Sequence, residues 1–529
     1  MHKRTEEDTT GTGTSHPPNP APPSQLAVLG LLLGIILAAL DGTIVGTALP
    51  TIVGDLGGLE HFSWVVTGYL LATAVTTPIW GKLGDMYGRK GGYLASIVVF
   101  LAGSVLCGLA QDMGQLIAFR ALQGLGAGGL FVGALSLIGT LLPPAQAGRA
   151  QSMIGVMMPV TMIGGPLLGG FLTDQLNWRW VFYVNVPVGA AALLIVGLRI
   201  RLRGERSAAR IDFPGAALLT AGILALTLLG AWAGTTYDWI SPQIVGLAAL
   251  SAAALVWFVR VERRAPEPII PPRLFSDRNF TLAQVLTFLV GAAMLAAASY
   301  LPQYMQFVQG MSSTQSGLLL LPLMLGMMGA QLLIGRAVGN GGGYRRYLIA
   351  GGALATAGAL ALLTVGVNTP TAVASALTLV FGAGLGCLMQ PAMLITMNSA
   401  DPRDMGAASG TTTLLRSIGG SLGVAVLGSV YAGHMATTLT DRLGRDGARL
   451  AGGHDMPPAV LRGLPEPVRN AFREGVTGGM HGVMIGTAAL CAVSFAAAWL
   501  IREVPLRGAA APSGEGDSSG EGDSSGEAV

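Results

Sequence analysis

The sequence predicts an all-α membrane protein, as its composition, its apolar runs and the charges of its loops all indicate. Hydrophobic residues make up 51% of the 529 positions and charged residues only 11%, whereas soluble domains carry about 25% charged residues. Glycine fills 78 positions, which closely packed transmembrane helices tolerate. A soluble protein this poor in charge could not cover its own surface, so most of the chain is expected to face lipid.

Several classes of function are disfavoured by what the sequence lacks. The net charge is +3 without a basic cluster, whereas nucleic-acid binding needs Lys and Arg gathered on an exposed face. The three cysteines all lie in apolar runs, which argues against a disulfide framework or a thiolate metal site. No phosphate-binding loop of the ATPase type and no catalytic constellation is visible. We therefore expect no nucleic acid, metal or organic cofactor, and no catalytic residue.

Fourteen apolar runs are long enough to cross a membrane, because a helix needs about 20 apolar residues to span the hydrocarbon core. The predicted spans, numbered 1 to 14, are 26–49, 62–80, 92–110, 113–142, 149–173, 179–199, 213–233, 242–260, 280–304, 314–338, 346–366, 370–398, 405–432 and 478–501.

Loop charges predict the orientation, because cytoplasmic loops carry an excess of Lys and Arg. With a cytoplasmic N-terminus, the inner segments hold 22 basic residues and the short outer loops only Arg179. The long segment 433–477 holds six Arg against five acids, but long segments cross largely regardless of charge. Both termini are therefore expected in the cytoplasm.

The predicted domains follow from the spans and from two polar ends. The loop GKLGDMYGRK (81–90) is echoed by GRAVGNGGGYRR (335–346), which indicates two parallel repeats of six helices. The domains are a disordered cytoplasmic tail (1–24), an N-terminal six-helix bundle (25–200), a two-helix insertion with basic cytoplasmic loops (201–278), a C-terminal six-helix bundle with an extracellular loop at 433–477 (279–502), and a disordered acidic tail (503–529).

Span 1 ends in LDGTIVGTALP (40–50), where Asp41 is the only acidic residue well inside a span. A carboxylate within a membrane costs about 2.5–3.5 kcal/mol or more and usually marks an ion or proton path. A structural carboxylate that hydrogen-bonds to a neighbouring helix is the alternative.

Span 4 contains LIAFRALQGLGAGG (116–129), in which Arg120 and Gln123 are polar. A buried Arg needs a partner. The helical rise places Asp41 and Arg120 both about 10–14 Å below the outer face. Depth therefore allows them to interact, although the sequence does not give their lateral distance.

The loop at 81–90 combines turn-forming glycines with charges of both signs. Asp85 can pair with a basic group or with a helix N-terminus. Charge pairs of this kind would hold a cytoplasmic gate closed until one partner is neutralised or pulled away. A plain positive-inside turn is the alternative, but it does not explain the Asp. The candidate gate residues are Gly81, Asp85, Gly88, Arg89 and Lys90.

In span 5, GPLLGG (165–170) predicts a kink at Pro166 and close packing along Gly165 and Gly169. Gly170 completes this motif. The segment WRWVFYVNVP (178–187) predicts an interfacial aromatic belt and a buried Asn185 that needs a partner.

Span 13 contains GAASGTTTLLRSIGGSLG (406–423), and Arg416 lies about 16 Å from its inner end by helical rise. Its charge should pair with a carboxylate, backbone carbonyls or water. On span 12, Met389, Met393 and Met397 recur every four residues, which fits core packing or an adaptable stripe that contacts drugs.

Together these motifs resemble the fourteen-helix drug:proton antiporter branch of the major facilitator superfamily. The resemblance implies two six-helix bundles with two extra central helices. It also implies lateral contact and proton coupling between Asp41 and Arg120, a gate at 81–90 and an antiporter motif at 165–170. The chain departs from the pattern at Gly46, where the family has Asn, and at Thr161, where it has Gly.

The expected function is secondary active export of lipophilic, cationic drugs or toxic compounds in exchange for protons. The proton gradient is then the energy source, and the partners are the substrate, protons and the bilayer, with no obligate protein partner. The expected location is the plasma membrane. A dedicated exporter of one endogenous metabolite or antibiotic is the alternative, and a membrane-embedded enzyme or receptor is a remote one.

Overall fold

The computed structural model describes residues 25–505 except 58–61, 143, 201–211, 234–236, 312–319, 340–342, 367–368 and 452–464. The predicted tails, 1–24 and nearly all of 503–529, lie outside this range. The helices are α1 (Gln25–Leu56), α2 (Phe62–Tyr87), α3 (Arg89–Leu109), α4 (Met113–Leu141), α5 (Pro144–Gln175), the short α6 (Trp180–Tyr183), α7 (Asn185–Arg199), α8 (Phe213–Trp232), α9 (Pro242–Glu262), α10 (Arg278–Phe307), α11 (Leu321–Gly339), α12 (Arg345–Ala361), α13 (Thr371–Ser399), α14 (Met405–Ala451) and α15 (Glu466–Leu500).

The predicted all-α membrane fold is confirmed. Twelve helices of the described chain are long and apolar enough to cross a membrane. The helices α2 and α5, which are 26 and 32 residues long, are outside that set, which covers the described residues only. Each of the fourteen predicted spans thus coincides with a long helix, and span 6 is divided between α6 and α7.

The N-terminal half and the C-terminal half of the chain each have an apolar core. Buried side chains of α1–α4 form one large cluster together with residues of α5 and α7. Those of α10–α15 form another. A smaller cluster joins Leu219 and Ile223 of α8 to Leu414 of α14, and Ala74 and Val75 of α2 pack against it, so the inserted helices contact both halves. Met393 and Met397 pack against the N-terminal cluster, in keeping with a role in the core.

Glycines set the distance between neighbouring helices. A Cβ atom on Gly124 would overlap the backbone of Tyr69 in α2, and one on Gly126 would overlap the backbone of Phe100 in α3. In the C-terminal half, Gly419 of α14 lies against the carbonyl of Phe288 in α10. The high glycine content therefore lets backbones approach where lipid-facing helices gain little from apolar burial.

Helical residues occupy much of the segment 433–477, whose extracellular location stays a prediction. Helix α14 continues to Ala451, and α15 begins at Glu466. Inside α14 the backbone departs from helical geometry at Gly444, whose φ of 60° is one that glycine adopts readily. The length of an apolar run marks only the part of a helix that crosses the hydrocarbon, and polar helical turns can extend beyond it.

We expect Gly419→Val to destabilise the protein by about 1–3 kcal/mol, because the added side chain would press on a backbone carbonyl that cannot rotate away. Thermal unfolding in detergent micelles measures this. Gly433→Val on the same helix is the control, since a Cβ there has nothing within 4 Å. Equal unfolding temperatures for the two variants would contradict the packing argument.

Candidate functional site

The buried carboxylate of Asp41 is fully enclosed at the meeting point of several helices. Its Oδ2 lies 2.5 Å from Nη1 of Arg120, and the two side chains are 0% and 1% exposed. Gln123 Nε2 donates to Asp41 Oδ1 at 2.7 Å, and Asn185 Nδ2 donates to the same oxygen at 2.9 Å. The structure thus brings together Asp41, Arg120, Gln123 and Asn185, all four of which the sequence had singled out.

Arg120 is held on every side. Besides Asp41, it donates to Gln123 Oε1 at 2.8 Å and to the carbonyl of Val65 at 3.4 Å. Its guanidinium carbon lies 4.1 Å from the ring centroid of Tyr69, a cation–π contact. The donors of a guanidinium need such partners when water is excluded.

Two members of this cluster were missed by sequence reasoning. Ser104 of α3 accepts hydrogen bonds from Gln123 (3.2 Å) and Asn185 (2.9 Å) and donates to the carbonyl of Phe182 at 2.9 Å. Tyr69 covers the guanidinium from α2. A single hydroxyl or phenol in an apolar run carries no periodic signal, so only the packing reveals these residues.

The cluster therefore ties α1 to α3, α4 and α7 through one negative charge. Each hydrogen bond to the carboxylate is charge-assisted, and such bonds are roughly twice as strong as neutral ones. Chemically, this arrangement can change state in one simple way. A proton on Asp41 would remove the charge to which the other three side chains are oriented.

The antiporter motif packs α5 directly on the same part of α1. A Cβ on Gly165 would overlap Thr43, and one on Gly169 would overlap Thr47. Thr43 Oγ1 also donates to the carbonyl of Thr161 at 3.3 Å. Gly170 has nothing within 4 Å and takes no part in this contact, whereas the side chain of Pro166 lies outside the described residues. The packing ridge therefore consists of Gly165 and Gly169.

The candidate gate joins α2 to the start of α14. Asp85 accepts hydrogen bonds from the backbone N–H groups of Gly406 (3.0 Å) and Ala407 (2.9 Å), where the positive end of the helix dipole favours an anion. Arg89 pairs with the same carboxylate at 2.9 Å. Gly81 is in backbone contact with Gly406. These contacts join the N-terminal half to the C-terminal half at this end of α2.

The other candidate gate residues have different roles. Gly88 adopts φ 102° between α2 and α3, a conformation that favours glycine. Lys90 donates to the carbonyl of Gly197 at 2.8 Å, so it binds within the N-terminal half and not across the gate. Sequence reasoning missed Lys82, which lies 2.7 Å from Glu267 in the segment after α9.

At the C-terminal end of α1, Asp55 connects this helix to the segment before α6. Trp178 Nε1 donates to its carboxylate at 2.8 Å, and Arg179 lies at 3.2 Å from the same oxygen. These hydrogen bonds, from Trp178 and then Arg179, hold the pKa of Asp55 below its ordinary value. Trp178 thus does more than anchor the chain at the membrane surface.

Arg416 does not join any of these clusters. Its guanidinium carbon lies 5.1 Å from the ring centroid of Phe131 in α4. The carboxylate or carbonyl partner that the sequence leads one to expect is absent from the described residues.

We expect Arg120→Gln to lower the free energy of unfolding by about 3–5 kcal/mol, because it leaves a buried carboxylate without its counter-charge. Adding Asp41→Asn should restore much of this stability, since the orphaned charge is then removed. Thermal unfolding of the two single variants and the double variant measures the coupling. Arg179→Gln at the exposed Asp55 pair is the control and should change little. Additive effects at Asp41 and Arg120 would mean that the ion pair contributes nothing.

We expect Asp85→Asn to loosen the gate, because an amide cannot match a carboxylate at a helix N-terminus. The readout is the rate at which maleimide alkylates a cysteine at Ser409, which is fully buried just beyond the gate, in a chain without its native cysteines. The rate should rise several-fold. Asp401→Asn, at an exposed position in the segment that precedes α14, should leave the rate unchanged, and a similar rise in both variants would count against the gate.

Comparison with known proteins identifies the family. The sequence model of the Major Facilitator Superfamily matches residues 31–424 of this chain. An uncharacterized MFS-type transporter of Mycobacterium tuberculosis is 40% identical over 484 residues, which cover 90% of this chain and 69% of that protein. Multidrug resistance protein 3 of Bacillus subtilis is 38% identical over 418 residues, which cover 79% and 81% of the two chains.

A solved structure is similar in fold. The crystal structure of the human organic anion transporter MFSD10 superposes with a TM-score of 0.60, covering 90% of this chain and 100% of that one. At 15% sequence identity this likeness shows the fold alone. Membership of the family nevertheless follows from the sequence match over most of the chain. The chain belongs to the Major Facilitator Superfamily and is a multi-span membrane transporter, not an enzyme.

Proposed function

We propose that this transporter exports lipophilic compounds in exchange for protons. The observation that carries the proposal is the fully buried Asp41, whose charge is balanced by Arg120 inside the membrane. A carboxylate so placed is costly, and such residues usually belong to ion or proton pathways. The similarity to a multidrug resistance protein supports lipophilic compounds as substrates.

Protonation of Asp41 is the proposed coupling event. The neutral acid would hold Arg120 less strongly, and one of its oxygens would no longer accept hydrogen bonds as a carboxylate does. Helix α1 would then be less firmly joined to α4 and α7. Because Gly165 and Gly169 pack on Thr43 and Thr47 of the same helix, a shift of α1 would be passed to α5.

The gate supplies the second part of the cycle. In this proposal the contacts of Asp85 with α14 keep one end of the molecule closed, and the loop charges support a cytoplasmic location for that end. Export requires this end to open for loading and to close again before release. Breaking two backbone hydrogen bonds and a helix-dipole contact is a modest cost, which suits a reversible gate.

The charge of the substrate is less well supported. Family resemblance favours cations, and Asp41 is the only described carboxylate deep inside a predicted span. Because Arg120 already neutralises it, a cation would have to displace that arginine or bind without a counter-charge. Export of cations therefore remains a prediction, as does the alternative of a dedicated exporter of one metabolite or antibiotic. Growth of a deletion strain on a drug panel separates broad from narrow export.

The proposed location is the plasma membrane with both termini in the cytoplasm. The 22 basic residues of the inner segments, against one in the short outer loops, support this orientation. The proton gradient is the proposed energy source, without a cofactor or an obligate protein partner.

We expect Asp41→Asn to abolish transport driven by a pH gradient, because an amide does not exchange protons. Dye flux into proteoliposomes with an imposed gradient measures this, and size-exclusion chromatography checks that the variant folds. Asp41→Glu is the control, since it keeps the ionisable group and should keep part of the activity. Wild-type uphill transport by Asp41→Asn would place the proton pathway elsewhere.

A further inference from the structure

Arg416 lies where the two halves of the protein meet. Arg416 lies about three helical turns after the start of α14, and its backbone contacts Gly291 of α10. Its side chain points the other way in the bundle, toward Phe131 of α4. The guanidinium therefore bridges from the C-terminal half to the N-terminal half near the midplane of the helices.

The surroundings of Arg416 differ from those of Arg120. Arg120 is 1% exposed and donates to a carboxylate, an amide and a carbonyl. Arg416 is only partly buried, and so is Phe131. Its charged group lies over the ring of Phe131, and no hydrogen bond of this group to another described residue is found. A guanidinium has five N–H donors, so this one keeps its capacity to bind an acceptor.

The charges inside the spans do not cancel. Asp41, Arg120 and Arg416 are the three charged residues that the sequence places well within spans. Asp41 and Arg120 neutralise each other, which leaves the positive charge of Arg416. A charge in a low-dielectric interior needs a counter-charge or water to be stable. The described residues supply no counter-charge to Arg416, so water or a bound anion can take that place.

We propose that Arg416 is the anion-recognition point of a substrate site between the two bundles, and that this site takes lipophilic organic anions such as aromatic carboxylates and sulfonates. A guanidinium presents paired donors that match the two oxygens of such groups. Phe131 offers an aromatic face against which the apolar part of the same anion can pack. The transport of these anions rests on the proposed function, whereas their binding does not.

The experiment compares two probes with the same aromatic body and opposite permanent charges. These are 1-pyrenesulfonate and a pyrenylmethyl-trimethylammonium ion. Their dissociation constants for the detergent-purified full chain are measured by fluorescence anisotropy. The same probes are then followed in proteoliposomes with an imposed pH gradient. The variants are Arg416→Gln, Arg416→Lys and, as a matched control, Arg346→Gln, whose arginine stacks on Tyr347 at an exposed position.

Arg416→Gln should weaken binding of the sulfonate about tenfold or more, the effect of losing a hydrogen bond between charged groups. Binding of the cation should stay the same, which also shows that the variant is folded. Arg416→Lys keeps the charge but not the planar fork, so it should lose less. Arg346→Gln should behave as the wild type.

Two results would overturn the anion site: no sulfonate binding to the wild-type protein, or equal sulfonate affinity in wild type and Arg416→Gln. If cation flux is driven by the gradient in either case, the proposed function stands while the anion site does not. Conversely, sulfonate binding that depends on Arg416 without any gradient-driven flux would support the anion site and reject proton-coupled export.

The membrane potential gives an independent readout. Exchange of one outgoing anion for one incoming proton moves net positive charge inward, so a potential that is negative inside should accelerate it. Exchange of a cation for one proton moves no net charge. Sulfonate export that is insensitive to an imposed potential would contradict this one-for-one exchange at Arg416.

Discussion

A single ion pair removed from water is the constraint around which the N-terminal half is arranged. Asp41 and Arg120 are each too costly to leave alone in a low-dielectric interior. Their pairing satisfies the charge, but the remaining donors and acceptors also need partners. Gln123, Asn185 and Ser104 provide them from three further helix positions. The helices must therefore converge at this depth, and a change in the charge of one side chain affects all of them.

The contacts that surround the pair lead from it to the gate. Helix α1 touches α5 through glycines, and α4 touches α2 through Gly124 and Gly128. Helix α2 carries Asp85 to the first turn of α14. These glycines press against Thr43 and Thr47 of α1 and against the backbone of Tyr69 and Thr73 in α2, so the interfaces have little room to absorb a displacement. Under the proposed function, a shift at the carboxylate would therefore be passed on by whole helices.

Much of this arrangement could be predicted from the sequence, and the reasons for the remainder are physical. Asp41 and Arg120 could be identified because a charged residue in an apolar run is easy to recognise. Helical rise then predicted that both lie at the same depth. The lateral contact depends on how helices pack, which a single sequence does not encode locally. Ser104 and Tyr69 are single polar side chains in apolar runs and give no sequence signal. The hydrogen bond from Lys90 to the carbonyl of Gly197 depends on how α3 packs beside α7, which the sequence does not show locally. The overlong helix α14 was missed because polar turns beyond the lipid have no apolar signature.

The bond between Lys82 and Glu267 has a mechanical consequence. It fastens the candidate gate to the segment that follows α9, while Leu219 and Ile223 of α8 pack on Leu414 of α14. The two inserted helices thus contact both halves of the chain. If the gate opens by separating α2 from α14, either this bond breaks or the insertion travels with α2 and peels away from α14. Under the proposed gating, the insertion would act as a tether that limits how far α2 and α14 can separate.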